Sequence, residues 1–169
     1  GKAVGIDGQD LADYGQALDE RLKDLLRRAK SGSYKAPPVR RIEIPKAGSQ
    51  ETRPIGIPTT EDKVLQMGVH LLLEPVYENE FYEFSYGFRR GKSAHQALAQ
   101  IRSEIHQKRI NWIIDADIKK FFDTLCHQKL KEILRQRVND GVLNRLISKW
   151  LKACLLYTSP SPRYRTTSR

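Results

Sequence analysis

The chain has 169 residues and a formal net charge of +10, with 39% apolar and 30% charged residues. This aliphatic content is higher than that of disordered chains, so most of the chain is expected to fold. No apolar run approaches the about 20 residues that a transmembrane helix needs. The two cysteines, Cys126 and Cys154, provide neither a disulfide framework nor a paired metal-ligand spacing. The composition therefore argues against a membrane protein, a disulfide-rich secreted module and a zinc domain.

The charge balance indicates a partner class. Thirty lysines and arginines stand against twenty acidic residues. A basic surface favours polyanions, because each phosphate that it neutralises releases condensed counterions. Charge alone favours nucleic acid only slightly over the alternative of a basic protein that binds none.

The first third of the chain predicts a helix and then a basic β-hairpin. Apolar residues three or four apart predict a helix over Asp10–Lys30, which Ser31-Gly32-Ser33 ends. Val39–Ile44 alternates apolar with charged residues, and Thr52–Ile57 returns as a second strand, with Pro54 favouring an edge position. The hairpin carries Arg40, Arg41, Lys46 and Arg53. These cations have two interpretations. They could keep the edge of the sheet solvated and so resist aggregation, or they could bind phosphate groups.

The remaining chain predicts helices and one further strand. A largely buried helix is expected from Thr60 to Pro75, and a second helix with a buried face after a capping box at Ser93. Ile110–Asp117 has the strongest strand propensity in the chain. Helices are expected over about 127–137 and 142–154. Alternating helices and a few strands indicate an α/β or α+β fold.

Two aspartates lie at the C-terminal end of the predicted strand Ile110–Asp117. In Asp115-Ala116-Asp117, alternation would place both on one face, about 6.5–7 Å apart along the strand. Lys119 and Lys120 follow. Mg²⁺ is usually held by one or two carboxylates together with substrate phosphates, so a magnesium site is one interpretation. Aspartates that cap the following turn are the other.

Three segments, taken together and in this order, resemble the reverse transcriptase encoded by group II introns. They are Tyr34–Arg41 with Ile44-Pro45-Lys46 and Arg53–Thr59; Leu73-Glu74-Pro75 with Ser85–Arg89 and Ser93-Ala94-His95; and Asp115–Asp123 with His127 and Leu130. Gly5–Gly8 also resembles the segment that precedes the fingers in this family. The resemblance covers about residues 4–153.

The resemblance implies an α+β fold consisting of the fingers and part of the palm. Residues 1–109 would form the fingers and the start of the palm, a helix-rich region with the basic hairpin. Residues 110–154 would be a partial palm, whose first strand carries the first catalytic aspartate. Residues 155–169, rich in Pro, Ser, Thr and Arg, are expected to be disordered. This tail also resembles translated sequencing-adapter sequence, so we expect it to be non-native.

The family copies RNA into DNA with two Mg²⁺ ions. By resemblance, Asp117 is the catalytic residue and a metal ligand, and the Ile118 carbonyl assists. The residues implied in binding the incoming nucleotide are Lys46, Arg53 and Phe122, whose ring would exclude a sugar 2′-hydroxyl. The residues implied in binding RNA are Arg40, Arg41, Arg89, Arg90 and Lys92.

The family's second catalytic box contains two adjacent aspartates, and this sequence has no such pair. The two-metal site is therefore incomplete in this chain, and we expect the chain alone to be inactive. The implied partners are an RNA template, a DNA primer, deoxynucleoside triphosphates and the intron RNA, whose splicing the parent protein would assist. The implied location is the bacterial cytoplasm, in association with the nucleoid.

Two alternatives remain open at this stage. One is a reverse transcriptase of a related class, from a retron, a diversity-generating element or a CRISPR system. The other is a non-catalytic RNA-binding module. The sequence leaves the oligomeric state open.

Overall fold

The computed structural model describes residues 3–45, 48, 50–119, 121–153 and 155–157. The chain divides into two compact units. Unit 1 comprises residues 1–69 and 127–169, and unit 2 comprises residues 70–126. These units differ from the predicted division at 109 and 154, and the predicted domain boundaries stay predictions. The described residues mix helices with one small sheet, as an α+β fold requires.

The helices are α1 Leu11–Gly15, α2 Leu18–Ser31, α3 Thr60–Glu78, α4 Ala94–Lys108, α5 Phe121–Thr124, α6 His127–Arg135 and α7 Gly141–Trp150. The strands are β1 Val39–Pro45, β2 Thr52–Ile57 and β3 Leu155–Tyr157.

The first predicted helix is two helices. Asp10 caps α1 by accepting hydrogen bonds from the backbone N–H groups of Ala12 and Asp13, at 2.7 and 2.9 Å. The helical backbone is interrupted at Ala17, whose φ and ψ are −134° and 48°. Gly15 is a weak helix former, so little opposes the break that follows it. Gly32, with a φ of 82°, ends α2 where the sequence predicted.

The hairpin forms with the predicted strands. β1 and β2 are antiparallel, and β2 lies at the edge of a sheet in the order β2-β1-β3, as Pro54 indicated. β3 pairs in parallel with β1 through Val39 and Leu155. The three residues of β3 depart from the expectation that regular structure is absent from Leu155 onward. Residues 158–169 lie outside the described residues.

Unit 1 has a buried core. The buried apolar residues are Tyr14, Leu25, Ala29, Tyr34, Ile57, Val69, Val138 and Leu146, and the buried polar ones are Thr59, Thr60 and Asp62. They come from both sequence segments of the unit, because α7 packs on α2 and α6 packs on α7. The helices from residues 127–150 therefore complete a core that the N-terminal segment begins.

The N-terminal segment approaches this core closely at Gly5. A Cβ atom built on Gly5 would lie 2.5 Å from Thr59 Cα and 2.9 Å from the Pro58 carbonyl oxygen. Both neighbours are backbone atoms, which cannot rotate away. Only glycine fits at this position, and this gives a physical reason for the first glycine of the Gly5–Gly8 segment.

Unit 2 has no buried core among its described residues. The predicted buried face of α4 is wrong, since Leu98 is 65% exposed and Ile101 is 50% exposed. The prediction for the preceding helix is wrong in two respects: Leu71 and Leu72 are exposed, and α3 continues through Pro75 to Glu78. Apolar periodicity identified the helices correctly, but it cannot say whether a partner covers the apolar face.

The predicted strand over Ile110–Asp117 is also wrong. These residues have no regular secondary structure, and Trp112 and Ile114 are 88% and 93% exposed. A strand needs a neighbour to pair with its N–H and C=O groups, and no described strand pairs with this segment. High β-propensity alone does not produce a strand here.

Candidate functional site

The cations of the hairpin lie on both of its faces. Arg53 pairs with Ile44 across the strands, and Arg40 pairs with Ile57, so these two arginines share one face. Arg41 pairs with Gly56 and lies on the opposite face. Lys46, the fourth predicted cation, lies outside the described residues. The hairpin therefore separates Arg41 from Arg40 and Arg53.

Their availability for a ligand differs as well. The Nε of Arg41 donates a hydrogen bond of 2.9 Å to Glu43, a carboxylate that also accepts from the Thr52 hydroxyl at 3.1 Å. Arg53 is exposed and has no ion pair or hydrogen bond among the described residues. The Nε of Arg40 is buried without a hydrogen-bond acceptor. Arg53 is thus the most accessible cation of the described hairpin.

In unit 2, Arg89 organises the loop after α3. Its guanidinium donates to Glu78 at 2.6 Å and to the carbonyl oxygens of Tyr82 and Ser85 at 2.8 and 2.9 Å. It also lies over the Phe81 ring, and its side chain is only 9% exposed. The hydrogen bonds from Arg89 hold the pKa of Glu78 below its usual value. Sequence analysis missed this structural role, since nothing local links residues 78 and 89.

The two other basic residues of this loop have fewer contacts. Arg90 is exposed and has no partner among the described residues. Lys92 donates to the Glu83 carbonyl oxygen at 3.2 Å, and its Nζ lies 5.2 Å from the centre of the Tyr86 ring. Arg90 is therefore the basic side chain of this loop that is free to contact another molecule.

The predicted catalytic carboxylates lie in the irregular segment of unit 2. Asp115 and Asp117 are both exposed, and neither has a hydrogen bond or ion pair with a described residue. Ile118 is exposed beside them. Phe122 is 83% exposed, and its ring meets that of Phe121 edge-on with centroids 5.2 Å apart. These groups are accessible. Phe122 lies in α5, but residues 110–118 have no regular secondary structure that would fix the geometry of Asp115, Asp117 and Ile118.

The described residues provide too few ligands for a magnesium site of their own. They contain no cluster of three or more His, Cys, Asp or Glu side chains that could hold a metal ion. One or two carboxylates suffice for Mg²⁺ only when phosphates or further ligands complete its octahedral shell. The expectation of an incomplete two-metal site stays a prediction.

Unit 1 contains a buried polar cluster that sequence analysis also missed. The carboxylate of Asp62, which is 2% exposed, accepts hydrogen bonds from the Tyr34 hydroxyl, from Trp150 Nε1 at 2.7 Å and from Gln66 Nε2 at 2.8 Å. Burial, and then the hydrogen bond to Asp62, raise the pKa of Tyr34. Lys149 donates to the carbonyl oxygens of Gly32, at 2.6 Å, and Tyr34. The hydrogen bonds of the cluster join residues that lie up to 117 positions apart.

Comparison with known proteins decides the family. Residues 44–168 match the family model described as reverse transcriptase (RNA-dependent DNA polymerase). The chain belongs to the reverse transcriptase family. The match contains the hairpin strand β2, Arg89 and both exposed aspartates. It also includes residues 155–168, and the expectation of a non-native tail stays a prediction.

Several of the similar proteins are named as intron proteins. The chain is 39% identical over 135 residues to the group II intron-encoded protein LtrA of Lactococcus lactis subsp. cremoris. The aligned region covers 80% of the chain and 22% of LtrA. It is 33% identical to protein YkfC of Escherichia coli K12, over 88% of the chain and 40% of YkfC. It is also 33% identical to a putative COX1/OXI3 intron 2 protein of Saccharomyces cerevisiae, over 87% of the chain and 17% of that protein. These matches confirm the predicted resemblance to group II intron reverse transcriptases.

The chain spans about a fifth of the length of LtrA. Among the described residues, no helix has the length and apolar character needed to cross a membrane.

Proposed function

We propose that this chain is the N-terminal part of a group II intron-encoded reverse transcriptase, an RNA-directed DNA polymerase whose longer form also binds its intron RNA and assists splicing. The observation that carries the proposal is the family match over residues 44–168, which includes Asp117. The named relatives favour the intron type over reverse transcriptases of retrons and similar systems.

In this proposal Asp117 contributes one ligand to a Mg²⁺ site that only a longer chain completes. The exposed carboxylates of Asp115 and Asp117 support it, because no neighbour among the described residues occupies their oxygens. Asp117 is the residue that the resemblance assigns, with the Ile118 carbonyl as an additional ligand. Asp115 serves as the internal comparison, since it has the same chemistry two positions away.

Arg53 and Lys46 are proposed to bind the triphosphate of the incoming nucleotide. The exposed, unpaired guanidinium of Arg53 supports this role, because its planar fork can donate two hydrogen bonds to a phosphate. Phe122 is proposed to stand against the sugar, where a ring leaves no space for a 2′-hydroxyl. Its 83% exposure leaves the ring free to face a substrate.

The RNA template and the intron RNA are proposed to contact Arg40, Arg41, Arg90 and Lys92, with Arg89 holding the loop that carries two of them. The proposed DNA primer and deoxynucleoside triphosphates follow from polymerase activity. The bacterial origin of LtrA and YkfC supports a bacterial cytoplasmic setting.

Primer extension tests the polymerase assignment. The longer protein that carries this segment should extend a DNA primer on an RNA template in the presence of Mg²⁺. Asp117→Asn should abolish extension, with a loss on the order of a thousandfold or more, because the amide is a poor ligand for Mg²⁺. The matched variant Asp115→Asn should keep most of the activity. Full activity of the Asp117→Asn protein would refute the role of Asp117.

A non-catalytic RNA-binding module is the second candidate for the chain taken alone. The irregular, exposed segment around Asp117 favours it, since this segment does not hold the carboxylate in a defined geometry. The 169-residue chain should then bind RNA but show no extension in the same assay. Extension by this chain would contradict that expectation.

A further inference from the structure

Helix α7 has a basic face opposite its apolar one. Its apolar residues include the buried Leu146, which packs into the core of unit 1. Arg145, Ser148, Lys149 and Lys152 follow one another at intervals of three, one and three residues, a spacing that places them along one side of the helix and the turn after it. Arg145 and Lys152 are exposed on this side, and Lys149 is half-buried against the segment that follows α2.

The basic side of α7 forms one wall of a cleft of about 600 Å³. The other wall comes from the end of α6 and the loop that joins it to α7. The cleft is lined by Arg135, Asn139, Gly141, Asn144, Arg145, Ser148, Lys149 and Lys152. Four of the eight lining residues are cations and none is acidic. We name this feature the α6–α7 cleft.

None of these four cations has a carboxylate partner among the described residues, whereas Arg28, Arg41 and Arg89 form ion pairs with acids. The nearby Asp140 caps α7 instead, accepting from the Leu143 N–H at 2.8 Å. The α6–α7 cleft is therefore a concave surface of uncompensated positive charge.

Backbone carbonyl groups orient two of the four cations, Lys149 and Arg145. Lys149 donates to the backbone carbonyl oxygens of Gly32 and Tyr34, just after α2, and Arg145 Nη2 lies 3.4 Å from the Lys30 carbonyl oxygen. Carbonyl partners orient these side chains but do not neutralise them. Arg135 and Lys152 have no partner among the described residues and are exposed. The cleft combines two oriented cations with two that are free to reach a ligand.

We propose that the α6–α7 cleft binds the phosphate backbone of an RNA strand, separately from the hairpin and the loop around Arg89. This inference rests on the proposed function, which supplies RNA as the polyanion. Phosphate oxygens only accept hydrogen bonds, and the cleft offers arginine, lysine, asparagine and serine donors. Because such contacts go to the backbone, binding should depend on salt and hardly on sequence.

The test measures how tightly the 169-residue chain binds RNA. Fluorescence anisotropy of a labelled single-stranded RNA reports the affinity at each of a series of KCl concentrations. The cleft variant carries Arg135→Gln and Lys152→Gln. The control variant carries Arg102→Gln and Lys23→Gln, an identical loss of charge at exposed, unpaired positions of α4 and α2. Circular dichroism checks that both variants keep the wild-type fold.

The cleft variant should bind RNA roughly tenfold more weakly, and its slope of log affinity against log salt should be shallower by about 1.4, since two lost phosphate contacts account for about 0.7 each. The control variant should change much less. Equal weakening in the two variants would overturn the cleft while leaving RNA binding intact. A wild-type chain that binds no RNA at low salt would overturn both the cleft and the proposed function. Polyglutamate is a polyanion without phosphates and serves as a second ligand. If it bound the wild-type chain as tightly as RNA, and if the cleft variant weakened both ligands equally, RNA would be overturned as the specific ligand.

Discussion

Unit 1 and unit 2 differ in how much of their side-chain surface is buried and in how their polar groups are hydrogen-bonded. Unit 1 buries apolar residues from both of its segments and satisfies the buried Asp62 with three donors. Unit 2 carries the predicted catalytic carboxylates, but none of its described residues is buried. Its defined geometry comes from polar contacts, such as those of Arg89. The contrast shows that the predicted catalytic carboxylates lie in the unit without a buried core among its described residues.

Among the substitutions that compare the two units, Asp62→Ala in unit 1 should have the largest effect on the free energy of unfolding. Asp62→Ala removes the acceptor of the Tyr34 hydroxyl and of the Gln66 amide, and leaves the Trp150 N–H only the Tyr34 oxygen at 3.4 Å. It should lower the free energy of unfolding by about 4 kcal/mol. Asp62→Asn keeps one acceptor oxygen and should cost less than half of this. Urea unfolding followed by Trp150 fluorescence, in a Trp112→Phe background, gives both values. Equal stability of the alanine variant and the wild type would show that the cluster contributes nothing.

A matched pair of leucines compares the two units directly. Leu146→Ala removes a side chain that is 3% exposed in unit 1 and should cost about 3 kcal/mol through a cavity. Leu98→Ala removes the same atoms from the exposed face of α4 in unit 2 and should change stability by no more than about 0.5 kcal/mol. The same urea titration measures both variants. Similar losses would mean that α4 is covered in solution.

The smallest expected effect is a pH dependence in the loop of unit 2. Since Arg89 lowers the pKa of Glu78 in the folded state, the stabilisation is complete above the ordinary glutamate pKa and disappears as the pH falls through the lowered value. The protection factors of the amides in residues 81–92, which correct for the pH dependence of intrinsic exchange, should therefore fall on acidification. Glu78→Gln should show the low protection factors at every pH. A wild-type loop that remains insensitive to acid would contradict the role of this ion pair.

Features set by neighbouring residues could be predicted from the sequence. The hairpin follows from alternation and from Pro54, the end of α2 follows from Gly32, and the start of α4 follows from Ser93, whose hydroxyl accepts the Gln96 N–H at 3.3 Å. Each of these signals acts over a few residues, so no distant contact is needed to interpret it.

Features set by distant partners could not be predicted. The segment Ile110–Asp117 has the composition of a strand, but pairing depends on a neighbour that the pattern does not reveal. The bond between Trp150 and Asp62 and the contacts of Arg89 with the end of α3 also depend on how separate segments meet. For the site, the sequence indicated the residue types at positions 53, 115, 117 and 122, but not that Arg41 and Arg89 would already have carboxylate partners.

The most direct test of this account is hydrogen exchange of the 169-residue chain, measured by mass spectrometry peptide by peptide. Its central claim is that unit 1 is folded around its own core while the segment with Asp117 has no strand partner. The account predicts strong protection in Leu18–Ser31 and Gly141–Trp150, and near-random-coil exchange in residues 110–118. Protection of residues 110–118 equal to that of α7 would contradict it, because such protection would require a strand paired within this chain.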